Sequence, residues 1–111
     1  MRHFGFVAPF ARFAAVAVAV GWLSACATMS CHENFISLHQ NQVGQSADGP
    51  ASFIQRYPQL VTGPKALANG NVEYEERGRG TCRSYYEVDS TSRKVLSWRF
   101  EGAEKDCEIC P

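Results

Sequence analysis

At 111 residues the chain has room for one small domain, and its eleven Lys or Arg against eleven Asp or Glu cancel to a formal charge of zero. That size excludes a multidomain enzyme, and a pI near 6.8 with no basic excess argues against nucleic acid, whose phosphates are met by a clearly basic face. The hydrophobic share of 45% is unevenly placed: 18 of the first 25 residues are apolar, leaving 32 among the following 86, a modest share for a folding domain.

Residues 1–25 carry Arg2 and Arg12 as their only charged side chains, followed by an apolar run from Phe13 to Leu23 and then small residues. This is the three-part layout of a secretory signal peptide. The run would make a helix of roughly 17 Å, too short to cross a hydrocarbon core of about 30 Å. Extending it back to Phe4 would bury Arg12. A retained transmembrane anchor is therefore the lesser reading.

Leu23-Ser24-Ala25-Cys26 resembles the lipobox of bacterial lipoproteins. The resemblance implies cleavage before Cys26, with a diacylglyceryl group on its sulfur and an amide-linked acyl chain, of the palmitate class, on its new amino terminus. Each buried methylene is worth about 0.8 kcal/mol, so several acyl chains hold a protein on a bilayer where one would not. The competing reading is a plain secreted chain cut within Ser24-Ala25-Cys26-Ala27. In such lipoproteins an aspartate after the lipidated cysteine favours the inner membrane. Ala27 stands there instead, which points to the outer membrane, periplasmic face.

Loss of residues 1–25 leaves nine basic and eleven acidic residues, a slightly acidic domain suited to solubility. Residues 26–33 read as a lipidated tether, polar from Thr28 to Glu33, and residues 34–111 as a small α+β domain. A short helix is expected near Asn34 to Gln42, with Gly44 as its stop signal. A second helix is expected with Ser46 or Asp48 as its cap and Pro50 in its first turn. It continues through Ala51, Ile54, Gln55 and Tyr57 to a stop at Pro58, with Phe53, Ile54 and Tyr57 forming an apolar wedge.

The sheet signal is clearer. Asn69-Gly70-Asn71 is turn chemistry before the alternating Val72-Glu73-Tyr74-Glu75, and Gly78-Arg79-Gly80 precedes the β-favouring run from Thr81 to Val88. Asp89-Ser90-Thr91-Ser92 then turns the chain into a third run from Lys94 to Phe100. Two short helices packed on a three-stranded antiparallel meander follow as the expected fold. Period-two alternation places Val72, Tyr74, Cys82, Ser84, Tyr86, Val88, Leu96, Trp98 and Phe100 in the core. Glu73, Glu75, Arg83, Tyr85, Glu87 and Arg99 fall on the opposite face, read as cross-strand charge pairing.

With Cys26 assigned to lipid, Cys31, Cys82, Cys107 and Cys110 form an even set in an oxidising compartment. Cys82 lies early in the second strand and Cys107 just beyond the third, so an antiparallel register favours bonding them. Cys31 and Cys110 are then the remaining pair. The Cys107-Glu108-Ile109-Cys110 spacing also fits a zinc site completed by Cys31 and His32, or a redox dithiol. Its place at the carboxyl end, away from any helix start, makes both the lesser readings, and no metal or other cofactor is expected beyond the lipid on Cys26.

Val43-Gly44-Gln45-Ser46 before a short helix, Pro58 after it, Asn69-Gly70-Asn71 before a Glu-Tyr strand, and Val88-Asp89 followed by Val95 and Trp98 resemble small outer-membrane lipoproteins of the SmpA/OmlA/BamE type. The resemblance covers roughly residues 34–100. It implies two helices on a three-stranded sheet and a non-catalytic role in outer-membrane assembly or envelope integrity. The chain departs from the family where a Gly-x-Pro usually ends the second helix, and in Cys82 and Cys107.

The expected function is a lipid-anchored, periplasm-facing interaction or scaffold module with a protein partner. The alternative is a binding inhibitor of a lysozyme or other hydrolase, presenting Gly78-Arg79-Gly80 or the loop from Gln59 to Gly70. An enzyme is not expected. Of the histidines, His32 and His39 alone follow the signal, read as a tether residue and a solvated helix residue, and no Ser/His/Asp, metal or phosphate-cradling pattern accompanies them. No small-molecule substrate is evident. Replacing the anchor residue, Cys26→Ser, should abolish metabolic acyl labelling and move the protein from the membrane to the soluble fraction; unchanged labelling would refute the anchor.

Overall fold

The computed structural model describes residues 29–111; the signal segment and Cys26 lie outside the described residues. The elements run α1 (Cys31–Gln40), α2 (Phe53–Arg56), a 3-10 turn (Pro58–Leu60), β1 (Val61–Ala66), β2 (Val72–Arg77), β3 (Arg83–Val88) and β4 (Val95–Glu101). The strands form one antiparallel meander in the order β1-β2-β3-β4. The class is α+β, but the sheet has four strands where three were expected.

The extra strand, β1, lies inside the stretch read as a loop from Gln59 to Gly70. Gly63 and Pro64 hid it, since both residues usually break strands. At a sheet edge they are tolerated, because proline's missing N–H costs no ladder bond there, and a bulge absorbs the irregularity. The β1–β2 register indeed shifts between Thr62 and Lys65. Gly63 has φ +127°, and a Cβ at that position would stand 2.8 Å from the Glu73 carbonyl oxygen. Only glycine lets the strand lie so close to β2.

Helix α1 begins earlier than expected, so Cys31, His32 and Glu33 belong to the helix and not to a tether. Ser30 explains the start: it caps the helix by accepting the Glu33 N–H at 3.0 Å. The second helix is shorter than expected. Ser52, not Ser46 or Asp48, is its N-cap, accepting from the Ile54 N–H.

Ser46 and Asp48 are engaged elsewhere. The loop from Gly44 to Asp48 is stitched to the start of β4: the Gly44 N–H donates to the Val95 carbonyl, the Val95 N–H to that of Gln45, and the Ala47 N–H to that of Arg93. Asp48 receives two bonds from the Arg93 guanidinium, each 3.0 Å, which hold its carboxyl below the usual range.

Across the sheet, Tyr74 stands opposite Tyr86 and Tyr86 opposite Trp98. Val72, Tyr74, Ser84, Tyr86, Val88, Trp98 and Phe100 occupy the side covered by helices or chain ends. Leu96 does not. The β3–β4 register jumps from Val88–Val95 to Glu87–Ser97, so Leu96 is the unpaired extra residue of a bulge and is 45% exposed, while Val95 takes the core position at 2%.

One core cluster gathers Ala47, Ile54, Tyr74, Tyr86, Val88 and Val95; the other gathers Phe35, Cys82 and Cys107. Trp98 packs against both, and its indole N–H donates to Gln40 at 2.9 Å.

Disulfide bonds join Cys82 to Cys107 and Cys31 to Cys110. Both cysteines of the Cys107–Cys110 spacing are thus consumed in bonds to other partners, and neither is a free thiolate for metal or exchange chemistry. Closing spans of 25 and 79 residues removes, in the chain-entropy relation, about 3.5 and about 4.5 kcal/mol of unfolded-state freedom. That matters for a domain of this size, whose core alone gives little margin.

The carboxyl segment is further held by Asp106, whose carboxylate accepts from the Thr81 hydroxyl at 2.7 Å and the Thr81 N–H at 2.9 Å. Those bonds, the hydroxyl first, hold the Asp106 carboxyl below its usual range.

Candidate functional site

Helix α1, α2 with the following 3-10 turn, the ends of β2 and β3, and the carboxyl segment surround a groove of about 480 Å³. Helical spacing supplies one wall: Phe35, Leu38 and His39 lie at i, i+3 and i+4 on the inward face of α1. Phe53, Tyr57 and Leu60 supply the facing wall, and Ile109 one lip. This volume and apolar lining fall in the range of small-ligand clefts.

The floor is polar. His39, expected in solvent, is 2% exposed, and Glu76 and Ser84 beside it are 9% and 3% exposed. The His39 ring packs against Phe35, with centroids 4.1 Å apart, and against Trp98 at 4.9 Å.

Its Nδ1 is 2.8 Å from the Phe35 carbonyl oxygen, which only accepts, so Nδ1 carries a proton. Nε2 lies 3.3 Å from Glu76 Oε1 and 3.3 Å from Ser84 Oγ. A neutral ring therefore accepts there from the serine hydroxyl, and a protonated ring donates to the glutamate. The Tyr86 hydroxyl donates to the same Glu76 oxygen at 3.0 Å. Burial, with the Glu76 charge second, raises the Tyr86 phenol well above its ordinary pKa. No buried side-chain polar atom among the described residues lacks a partner. The array is a closed hydrogen-bond network under an apolar cleft.

Glu76 is the residue that strand reading overlooked, although the signal was present. It shares period-two parity with Val72 and Tyr74, so it faces inward with them. An acid on the apolar side of a strand needs a partner, and His39, one turn beyond Phe35, supplies it.

The other sequence-derived sites fall in three places. His32, read as a tether residue, projects from α1 with Nδ1 2.7 Å from the Cys107 carbonyl oxygen. Gly78-Arg79-Gly80 borders the groove as a fixed turn. Gly80, at φ +54°, lies so close to Asp106 that a Cβ would meet the carboxylate at 2.6 Å. Arg79 donates to the Lys105 carbonyl.

On the outer face, Arg99 lies 3.9 Å over the Tyr85 ring and pairs with Glu101 at 2.7 Å and Glu73 at 3.7 Å. Exposed pairs of this kind add little stability. Among the described residues no group of three or more His, Cys, Asp or Glu is placed to hold a metal ion.

The Tyr86–Glu76 bond has a pH signature. A phenol whose pKa is raised by folding contributes stability that is full below its unfolded pKa near 10 and is lost as pH climbs further. Thermal melts across the alkaline range should show a steep loss in the parent protein and a shallower one in Tyr86→Phe. At pH 7 that variant should be less stable by about 1 kcal/mol; parallel alkaline losses in the two proteins would refute the assignment. No family model, no curated protein and no solved structure matches this chain.

Proposed function

We propose that the protein is a non-catalytic, lipid-anchored interaction module facing the periplasm. The observation that carries this reading is the pair of intramolecular disulfides in so small a domain, a pattern belonging to oxidising compartments. The lipobox-like Leu23-Ser24-Ala25-Cys26 then supplies the anchor. From Cys26 to the start of α1 at Cys31 an extended chain spans at most about 17 Å. The domain is thereby held close to the bilayer, with the groove beside its anchored end. Among the described residues no helix is long and apolar enough to cross a membrane.

A role beside outer-membrane assembly, in the manner of SmpA/OmlA/BamE-like lipoproteins, rests on short motifs between residues 34 and 100. The fourth strand sets this domain apart from the three-stranded pattern that the resemblance implies. A second reading, inhibition of a hydrolase, is favoured by one feature: the Gly78-Arg79-Gly80 turn stands exposed and is braced by Asp106 and the Cys82–Cys107 bond. Rigid loops bind at a smaller entropic cost.

Photo-crosslinking groups placed at Tyr57 and at Arg79 in intact cells separate the two. Capture of outer-membrane assembly components at Tyr57 supports the scaffold role. Capture of a single hydrolase at Arg79 supports inhibition and overturns the scaffold role.

A further inference from the structure

We propose that the Cys31–Cys110 bond is a redox-operated latch. A dithiol reductant of the thiol–disulfide oxidoreductase class opens it while Cys82–Cys107 stays closed, and the opening frees α1 and uncovers the groove. The inference goes beyond the interaction-module reading and stands on the two bridges, not on the lipid anchor.

The two bonds differ in their surroundings. Cys82 and Cys107 are 1% and 0% exposed and share a buried cluster with Phe35, against which Ile36, Trp98 and Phe100 pack. Cys110 is exposed and Cys31 half-buried. Exchange requires a thiolate to reach a sulfur, so access decides which bond reacts, and exposed disulfides are the labile ones.

The reaction has a direction. A thiolate of the reductant attacks Sγ of Cys110, the more open end, forming a mixed disulfide and releasing the Cys31 thiolate. Cys31 is the first residue of α1, where the positive end of the helix favours a thiolate. Glu33, two residues on, projects from another side of the helix. A stabilised thiolate is the better leaving group. The second thiol of the reductant then attacks the mixed disulfide, Cys110 departs as its thiolate, and each cysteine takes up a proton. Two electrons pass to the protein, and the reductant leaves as its own disulfide.

What the latch holds is the first turn of α1. Beside the bond, the Ile109 N–H donates to the Cys31 carbonyl at 3.0 Å and the Asn34 amide to the Ile109 carbonyl at 2.8 Å. Two such bonds hold little once the covalent link is cut. The helix has ten residues and buries only Phe35 and His39 fully, which leaves it marginal. Ile109 is one lip of the groove, and Phe35 and Leu38 belong to its α1 wall. Reduction therefore releases the lip and loosens the wall together, while Cys82–Cys107 and the strand ladder keep the sheet closed.

The test uses the chain with Cys26→Ser, oxidised at both bridges. A thioredoxin whose resolving cysteine is replaced by serine traps the mixed disulfide, and peptide mapping should place it on Cys110. In dithiothreitol, timed alkylation should capture Cys31 and Cys110 at least about tenfold faster than Cys82 and Cys107. In the half-reduced protein, hydrogen exchange should find α1 amides unprotected and those of β2, β3 and β4 protected. The apolar dye anilinonaphthalenesulfonate should fluoresce more strongly on it than on the oxidised protein. Oxidised glutathione should restore the Cys31–Cys110 pairing and the protection of α1. Absence of a trapped adduct, or its capture on any other cysteine, overturns the proposal. So does equal alkylation of all four cysteines, or a half-reduced protein whose α1 is as protected as before.

Discussion

The carboxyl segment, bonded at Cys107 to the sheet and at Cys110 to the helix, is the constraint on which the rest of the fold depends. It works as a strap. Between the two disulfides, the Ile109 N–H donates to the Cys31 carbonyl, the Asn34 amide to the Ile109 carbonyl at 2.8 Å, and the His32 ring lies 2.7 Å from the Cys107 carbonyl. A ten-residue helix is marginal by itself, and α1 buries only Phe35 and His39 fully. The strap supplies what its apolar face does not.

The groove follows from that arrangement. Because the Cys31–Cys110 bond at its amino-terminal end holds α1 in place, the helix need not collapse onto the sheet to be stable. Its Phe35, Leu38 and His39 can line a cleft shared with α2. The polar floor suits the same geometry. Glu76 brought to the inner face of β2 would be costly alone; His39 and Tyr86 meet its carboxylate, and Ser84 in turn meets His39. Buried networks of this kind favour one arrangement of helix on sheet, since a slip of either element would leave an acid unpaired.

How much of this could be read from the amino acids depended on the kind of signal. Strands β2 and β3 were legible because strict alternation and glycine-rich turns delimit them, and the disulfide chemistry was legible from an even count of cysteines after residue 26. Strand β1 was not, because Gly63-Pro64 reads locally as a break and only the neighbouring strand makes an edge position tolerable for it. Leu96 was placed in the core by parity, and a single bulge exchanged it for Val95. Ser46 and Asp48 look like helix caps to any local rule, yet the start of β4 claims both. The groove was the least legible feature. Its residues come from five separate segments, and only His39 and Glu76, each an oddity in its own element, hinted that α1 and β2 meet. Cys26, the residue on which the anchor reading rests, lies outside the described residues.

Hydrogen exchange on the oxidised protein and on the Cys31→Ser, Cys110→Ser variant tests the strap most directly. Amides of α1 from Asn34 to Gln40 should lose protection in the variant, while those of β2, β3 and β4, held by their own ladder and by Cys82–Cys107, keep theirs. Retained protection in α1, or an equal loss throughout the sheet, would contradict it.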